Sequence, residues 1–201
     1  MDEATMYKAL VTACMVEVNY RHREFSGTEG FKQHIHDVAR WLTEDHTTFG
    51  LYLCGNKGNG KTTLVKAIKS LYEYSHSDEM YKTGGPDEAF RIVSAKDLVH
   101  YAKAYASGKG SGDYTTYISL RGSGILCIDD MGAEPRDAMQ YGEYINAVMD
   151  VVYYRYEHQM CTMATSNLSA SEISGYYDER FADRLKEMMQ IINFGNDPSF
   201  R

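Results

Sequence analysis

The segment GNKGNGKTT, Gly55 to Thr63, lies directly behind the apolar run FGLYLC and directly ahead of a helical pattern that sets Leu64, Ala67, Ile68 and Leu71 on one face. A chain with glycine at 55, 58 and 60, straight after a strand that reads as buried, turns its main chain tightly there. Every fixed position of G-x-x-x-x-G-K-[ST] is met. The spacing has a physical basis. Glycines let backbone amides converge on an anion with no Cβ in the way, and a helix beginning near Lys61 adds unpaired N–H groups and the positive end of its dipole. Gly55, Asn56, Lys57, Gly58, Asn59, Gly60, Lys61, Thr62 and Thr63 are therefore the expected phosphate-binding residues. Lys61 is expected to reach the β- and γ-phosphates of ATP, and the Thr62 hydroxyl to take Mg²⁺.

The remaining pattern alternates. Two helices open the chain, one carrying Met6, Leu10, Cys14, Met15 and Val18, the next Phe31, Ile35, Val38 and Leu42. After the strand, the loop and a helix over about 61–74 come a polar stretch, SHSDEMYKTGGPDE, and a strand, FRIVSA. The helix KDLVHYAKAYA follows, then the break SGKGSGD, a short helix and the strand GILCIDD. A long helix is expected over about Asp137 to His158, a strand in MCTMATSN, a helix over about Asp178 to Met189 and a last strand in IINF. Strands alternating with helices imply an α/β fold, a parallel sheet covered on both faces.

A phosphate cradle needs a second strand to bring a carboxylate to the metal. Asp129 follows four apolar residues in ILCIDD, so it emerges at the carboxyl edge of the sheet, where open α/β sheets place their ligands. It is expected to hold Mg²⁺ together with Thr62. Asp130 is expected on the γ-phosphate side, to orient or deprotonate the attacking water.

Bulk properties narrow the class. A net charge of −7 argues against coating nucleic acid by charge alone. Cys14, Cys54, Cys127 and Cys161 stand too far apart for a zinc or disulfide framework. There is no apolar run of about eighteen residues, and MDEATMYKAL lacks a signal-peptide stretch, so a cytoplasmic location and no membrane partner are expected. No N-K-x-D guanine-reading segment is suitably placed, which disfavours a GTPase. A small-molecule kinase would need a lid and an acceptor pocket that the sequence does not display.

Four short motifs then follow the loop in order: ILCIDDMGAEP, YYRYEHQMCTMATSNLSASE, RFADRLKEM and IINFGNDPSFR. This series resembles the AAA+ ATPases of the DnaC/DnaI helicase-loader and IstB transposition-helper group, relatives of the initiator DnaA, over roughly residues 30–201. The resemblance implies a P-loop NTPase of AAA+ type, a three-layer αβα sandwich without a long C-terminal lid. It implies ATP hydrolysis, slow and stimulated by DNA or a partner. Asn167 matches the sensor-1 position, and Arg184 matches the arginine finger supplied to a neighbouring subunit. Arg201 resembles the sensor-2 arginine. For Arg184 the alternative is a structural role in its own helix, where Asp183 and Arg180 could pair. Implied partners are single-stranded DNA, further copies of the chain around the ATP site, and a replicative helicase or a transposase. Two departures stand out. About 45 residues precede the strand entering the loop; they read as two helices packed on the core rather than a separate domain, giving expected units of 1–45 and 46–201. The acidic pair is Asp-Asp where many relatives have Asp-Glu, which fits a switch or a nucleotide-gated adaptor with little hydrolysis.

Lys96, His100 and Lys103 recur at i, i+4, i+7 beside a stripe of Leu98, Tyr101, Ala102 and Tyr105, and Lys109 follows in a glycine loop. Such a ridge could track a single-stranded backbone. The same spacing equally describes a solvated helix face.

Overall fold

The computed structural model describes residues 1–77, 89–108, 112–135 and 146–195, with 139–140 and 143–144 described as backbone. The chain opens with α1 (Glu3–Tyr20) and α2 (Glu29–Thr43), each started by a side chain that accepts a backbone N–H: Asp2 from Thr5 and Thr28 from Phe31. Then come β1 (Gly50–Cys54), α3 (Lys61–Ser75), β2 (Phe90–Ser94), α4 (Ala95–Ala106), α5 (Gly112–Gly122) and β3 (Ile125–Met131). The short pair β4 (Met139–Gln140) and β5 (Glu143–Tyr144) precedes α6 (Ala147–Glu157), β6 (Thr162–Ser166), α7 (Ile173–Tyr176), α8 (Glu179–Met188) and β7 (Met189–Asn193).

Five strands form one sheet in the order β2-β3-β6-β1-β7, every pairing parallel. Side chains alternate between two separate cores, as the two-residue strand period requires. Leu51 and Leu53 of β1 face a core with Leu10, Ile35, Val38, Leu64 and Ile68, so α1, α2 and α3 form one layer. Tyr52 and Cys54 face the opposite core, shared with Leu98, Leu120, Val151, Phe181 and Leu185 from α4, α5, α6 and α8. This is the three-layer αβα sandwich. With β1 flanked on both sides, by β6 and β7, all five of its residues are buried and the loop behind it opens at the carboxyl edge.

Two expectations are corrected. The long helix over Asp137 to His158 is shorter: it starts at Ala147, where Asn146 Oδ1 accepts the Met149 N–H at 3.4 Å, and Met139–Gln140 and Glu143–Tyr144 form an antiparallel pair instead. Gly142 lies in that stretch, and an interior glycine costs a helix about 1 kcal/mol. Met15, read as a core position, is 43% exposed, while Ala13 and Cys14 turn inward. Both fit an α1 that carries apolar residues on more than one side, so periodicity alone could not pick its buried face. Lys109, Arg201 and most of the stretch SHSDEMYKTGGPDE lie outside the described residues.

Candidate functional site

The loop between β1 and α3 wraps its own lysine. Gly55, Gly58 and Gly60 all have positive φ, at 120°, 85° and 94°. Gly60 has a second constraint, since a Cβ there would come within 2.6 Å of the Phe31 ring. Lys61 is buried at 6% exposure, and its Nζ donates to Gly55 O at 2.8 Å, Asn56 O at 2.7 Å and Asn59 Oδ1 at 3.1 Å. It also lies 3.5 Å from Asn167 Oδ1, at the end of β6. The sensor-1 candidate and the loop lysine therefore meet, although 106 residues separate them.

Thr62 and Asp129 meet as well. The Thr62 hydroxyl donates to Asp129 Oδ1 at 2.9 Å, and Thr165 Oγ1 donates to the same oxygen at 2.6 Å. Thr165 in turn accepts the Asp130 N–H at 3.0 Å. The pairing of β3 with β6 shifts register between Ile128 and Met131, and Asp130 sits there in the left-handed region with φ 54°. A bulge beside a site re-aims side chains, and a non-glycine residue with such a φ persists only where its surroundings fix it. Here they do: Ser166 Oγ bonds Met131 O at 2.5 Å, and the Gly132 N–H donates to Glu134 Oε2 at 2.8 Å. Glu134, itself buried, also accepts from the Tyr177 hydroxyl, and its carbonyl accepts from Tyr176 at 2.8 Å. Burial and the Glu134 charge push the Tyr177 hydroxyl far above its ordinary pKa, so it stays a donor.

A cleft of about 400 Å³ opens over the loop, lined by Gly58 to Thr63, Asp130 and Asn167. Its charged rim comprises Arg21, Arg23, Lys57, Lys61 and Lys96 against Glu24 and Asp130. In a chain of net charge −7 this cationic excess suits a polyanion. Asn59 Nδ2 adds to the fit: it is buried in the cleft wall with no hydrogen-bond partner among the described residues, a donor that is costly to leave unmet. Among the described residues no group of three or more His, Cys, Asp or Glu side chains is gathered around a metal position. A divalent cation at Thr62 and Asp129 would thus draw its remaining oxygens from ligand and water, as Mg²⁺ beside phosphates does.

Other candidates lie elsewhere. Lys96, the second residue of α4, faces the cleft, while His100 pairs with Asp113 of α5 at 3.3 Å and Lys103 is half-buried farther along. The expected ridge therefore divides between the cleft and the α4–α5 surface. Arg184 is away from its own chain's cleft, on α8, with its guanidinium against Tyr153 and Tyr156 of α6. The intrahelical alternative is not what forms: Asp183 pairs with Lys186 at 3.6 Å.

Sequence reasoning missed Thr165 and Glu134 at the site, and Arg155 in the core. Thr165 sits two residues before Asn167 in ATSN, and an inward threonine at a strand's carboxyl end was the available signal. For Glu134 and Arg155, no local pattern marks them.

No family model and no curated protein sequence matches the chain. Solved structures do. The DnaC helicase loader superposes with a TM-score of 0.59 at 19% identity, covering 84% of this chain and 92% of that one. DnaI gives 0.56 at 22% identity, covering 84% and 87%. A replication initiator DnaA bound to AMPPCP and single-stranded DNA gives 0.54 at 17%, covering 88% of this chain and 50% of that one. The chain shares the fold of these structures, a three-layer αβα sandwich with the glycine loop behind β1.

Proposed function

We propose that the chain is an AAA+ ATPase that binds ATP with the 55–63 loop, assembles side by side, and acts in DNA replication in the manner of a helicase loader. The single observation that carries this reading is the Thr62–Asp129 hydrogen bond at 2.9 Å beside Lys61, which brings together motifs 67 residues apart, as a triphosphate and metal site requires. Thr62 and Asp129 would hold Mg²⁺, which would supply charge neutralisation on the phosphates. Lys61 exchanges its carbonyl partners for phosphate oxygens. Asn167, already near the Lys61 ammonium, holds the attacking water against the γ-phosphate, and Asp130 orients that water or takes its proton. Arg184 of a neighbouring copy completes the charge, a contribution worth about 10³-fold or more in related phosphoryl-transfer enzymes.

The fold shared with helicase loaders and with a DnaA bound to single-stranded DNA supports the replication role. With Lys96 turned to the cleft, His100 and Lys103 on α4 are the proposed DNA contacts, with Lys109 and a sensor-2 role for Arg201 proposed on sequence grounds. The proposed units remain 1–45 and 46–201. A second reading, a nucleotide-gated adaptor with little hydrolysis, is favoured by the short Asp130 side chain on a fixed left-handed backbone. An IstB-like transposition helper is the corresponding alternative in partner.

Two measurements test the proposal. Phosphate release with and without single-stranded DNA should show turnover that Lys61→Ala abolishes; tight ATP binding with background turnover would select the adaptor. Partner capture with and without ATP should recover a replicative helicase. Recovery of a transposase would select the transposition reading.

A further inference from the structure

The side chain of Arg184 is only 20% exposed, yet it lies on the surface helix proposed to serve a neighbouring copy. Its Cζ lies 4.7 Å from the ring centroid of Tyr153 and 4.9 Å from that of Tyr156. These two residues are one turn apart on α6. Among the described residues no acceptor takes a hydrogen bond from its N–H groups, and its ion pair with Glu157 is long, at 4.0 Å. The rings cover the guanidinium while its hydrogen-bonding capacity is unspent. A planar guanidinium suits this division, since it stacks on aromatic faces and donates along its edge.

The rings are themselves held. The Tyr156 hydroxyl donates to Glu187 Oε2 at 2.6 Å, and Glu187 belongs to α8. The Tyr153 hydroxyl lies 3.5 Å from Asp178 Oδ1, the same oxygen that caps α8 by accepting the Phe181 N–H at 2.6 Å. The Tyr153 ring meets Phe181 edge-on, with centroids 5.9 Å apart. Both tyrosines thus bind α6 to the helix that carries the arginine.

We infer that Tyr153 and Tyr156 are positioning residues for Arg184: an aromatic clamp that fixes the guanidinium plane so that its N–H edge is presented to the triphosphate of the next copy. The inference rests on the proposed trans role of Arg184. A free arginine would have to order several side-chain torsions at each encounter, and the clamp removes that cost beforehand.

The test uses complementation between two inactive full-length variants. Arg184→Ala keeps an intact nucleotide site and lacks the arginine; Lys61→Ala lacks a working site and keeps the arginine. Mixed, they should regain turnover at the one intact site. Adding Tyr153→Leu and Tyr156→Leu to the Lys61→Ala chain keeps apolar bulk and removes the ring faces. It should lower the regained kcat about tenfold, with KM for ATP unchanged within about twofold. The same pair placed on the Arg184→Ala chain should leave the regained rate unchanged, which a merely structural role would not. Tyr153→Phe with Tyr156→Phe, which keeps the faces, should restore most of the rate. Regained turnover indifferent to leucine on the arginine-donating chain overturns the clamp alone. Undiminished turnover of Arg184→Ala by itself overturns the trans role, and the clamp with it.

Discussion

Lys61 and Arg155 are both buried cations, one at each end of the same sheet, and they are held in opposite ways. Lys61, at the carboxyl edge, takes two loop carbonyls and the Asn59 oxygen, all within six residues of itself, and reaches Asn167 from the next strand. Arg155, at the amino edge, is fully buried and donates to Thr162 Oγ1 and to the carbonyls of Arg121, Ser123, Gly124 and Cys161 at 2.6 to 3.3 Å. Those acceptors come from the end of α5, the approach to β3 and the start of β6. Burial pushes the guanidinium down to about 10, which leaves it charged at neutral pH. The lysine's partners are local and loop-borne, so they can be exchanged for a ligand's oxygens without moving any strand. The arginine's partners are distributed over the core, so nothing can replace them. Burial of a charge does not mark a functional site; the exchangeability of its partners does.

That contrast can be broken by substitution. Arg155→Met should be the most damaging change to the fold. It removes the guanidinium donor from four carbonyls and a hydroxyl, of which the Cys161 carbonyl keeps the Leu126 N–H, at a cost of about 3–5 kcal/mol, read as a fall in Tm of roughly 6–20 °C. ATP affinity of the folded protein, measured well below Tm, should stay within about twofold. Lys61→Ala should show the reverse, with turnover lower by at least about 100-fold and Tm within about 2 °C of wild type. If both variants lost stability equally, the distinction between the two cations would collapse.

Thr165→Val sharpens the picture at the site. It removes the donor to Asp129 and the acceptor for the Asp130 N–H, so stability should fall by about 1–2 kcal/mol in denaturant titration. Turnover should fall about tenfold, and Thr165→Ser should restore both. Asp130→Gly is the smallest expected effect on folding. Relief of the left-handed backbone, about 1 kcal/mol, is offset by glycine's greater chain entropy, so stability should change by less than about 0.5 kcal/mol. A larger loss would mean that the aspartate, rather than its backbone, helps hold the bulge.

How much of this was legible follows from where each residue's partners lie. The 55–63 loop reads directly because its geometry is set by glycines and a lysine within nine residues, and the flanking strand and helix share that window. Asp129 reads from the apolar run before it. Asn167, which meets Lys61, reads through the order of motifs rather than through its own neighbourhood. Thr165 and Glu134 did not, because what fixes them comes from 36 to 43 residues away. Arg155 was hidden by its type: a charged residue in YYRYE reads as solvated unless the carbonyls converging on it are known. Lys96 was assigned to a ridge by spacing, but Ser94 caps α4 by accepting the Asp97 N–H at 3.0 Å, which fixes the helix start so that Lys96 faces the cleft. Caps set a helix's first turn, and spacing alone does not report that direction.

The proposed function requires one site that takes a nucleoside triphosphate with its metal. Titrating MgATP into the wild-type chain and into Lys61→Ala by calorimetry tests it most directly. Wild type should give saturable heat at one site per chain, and Lys61→Ala none at an unchanged melting temperature. Absent heat with folded wild-type protein, or equal heat from both, would contradict it.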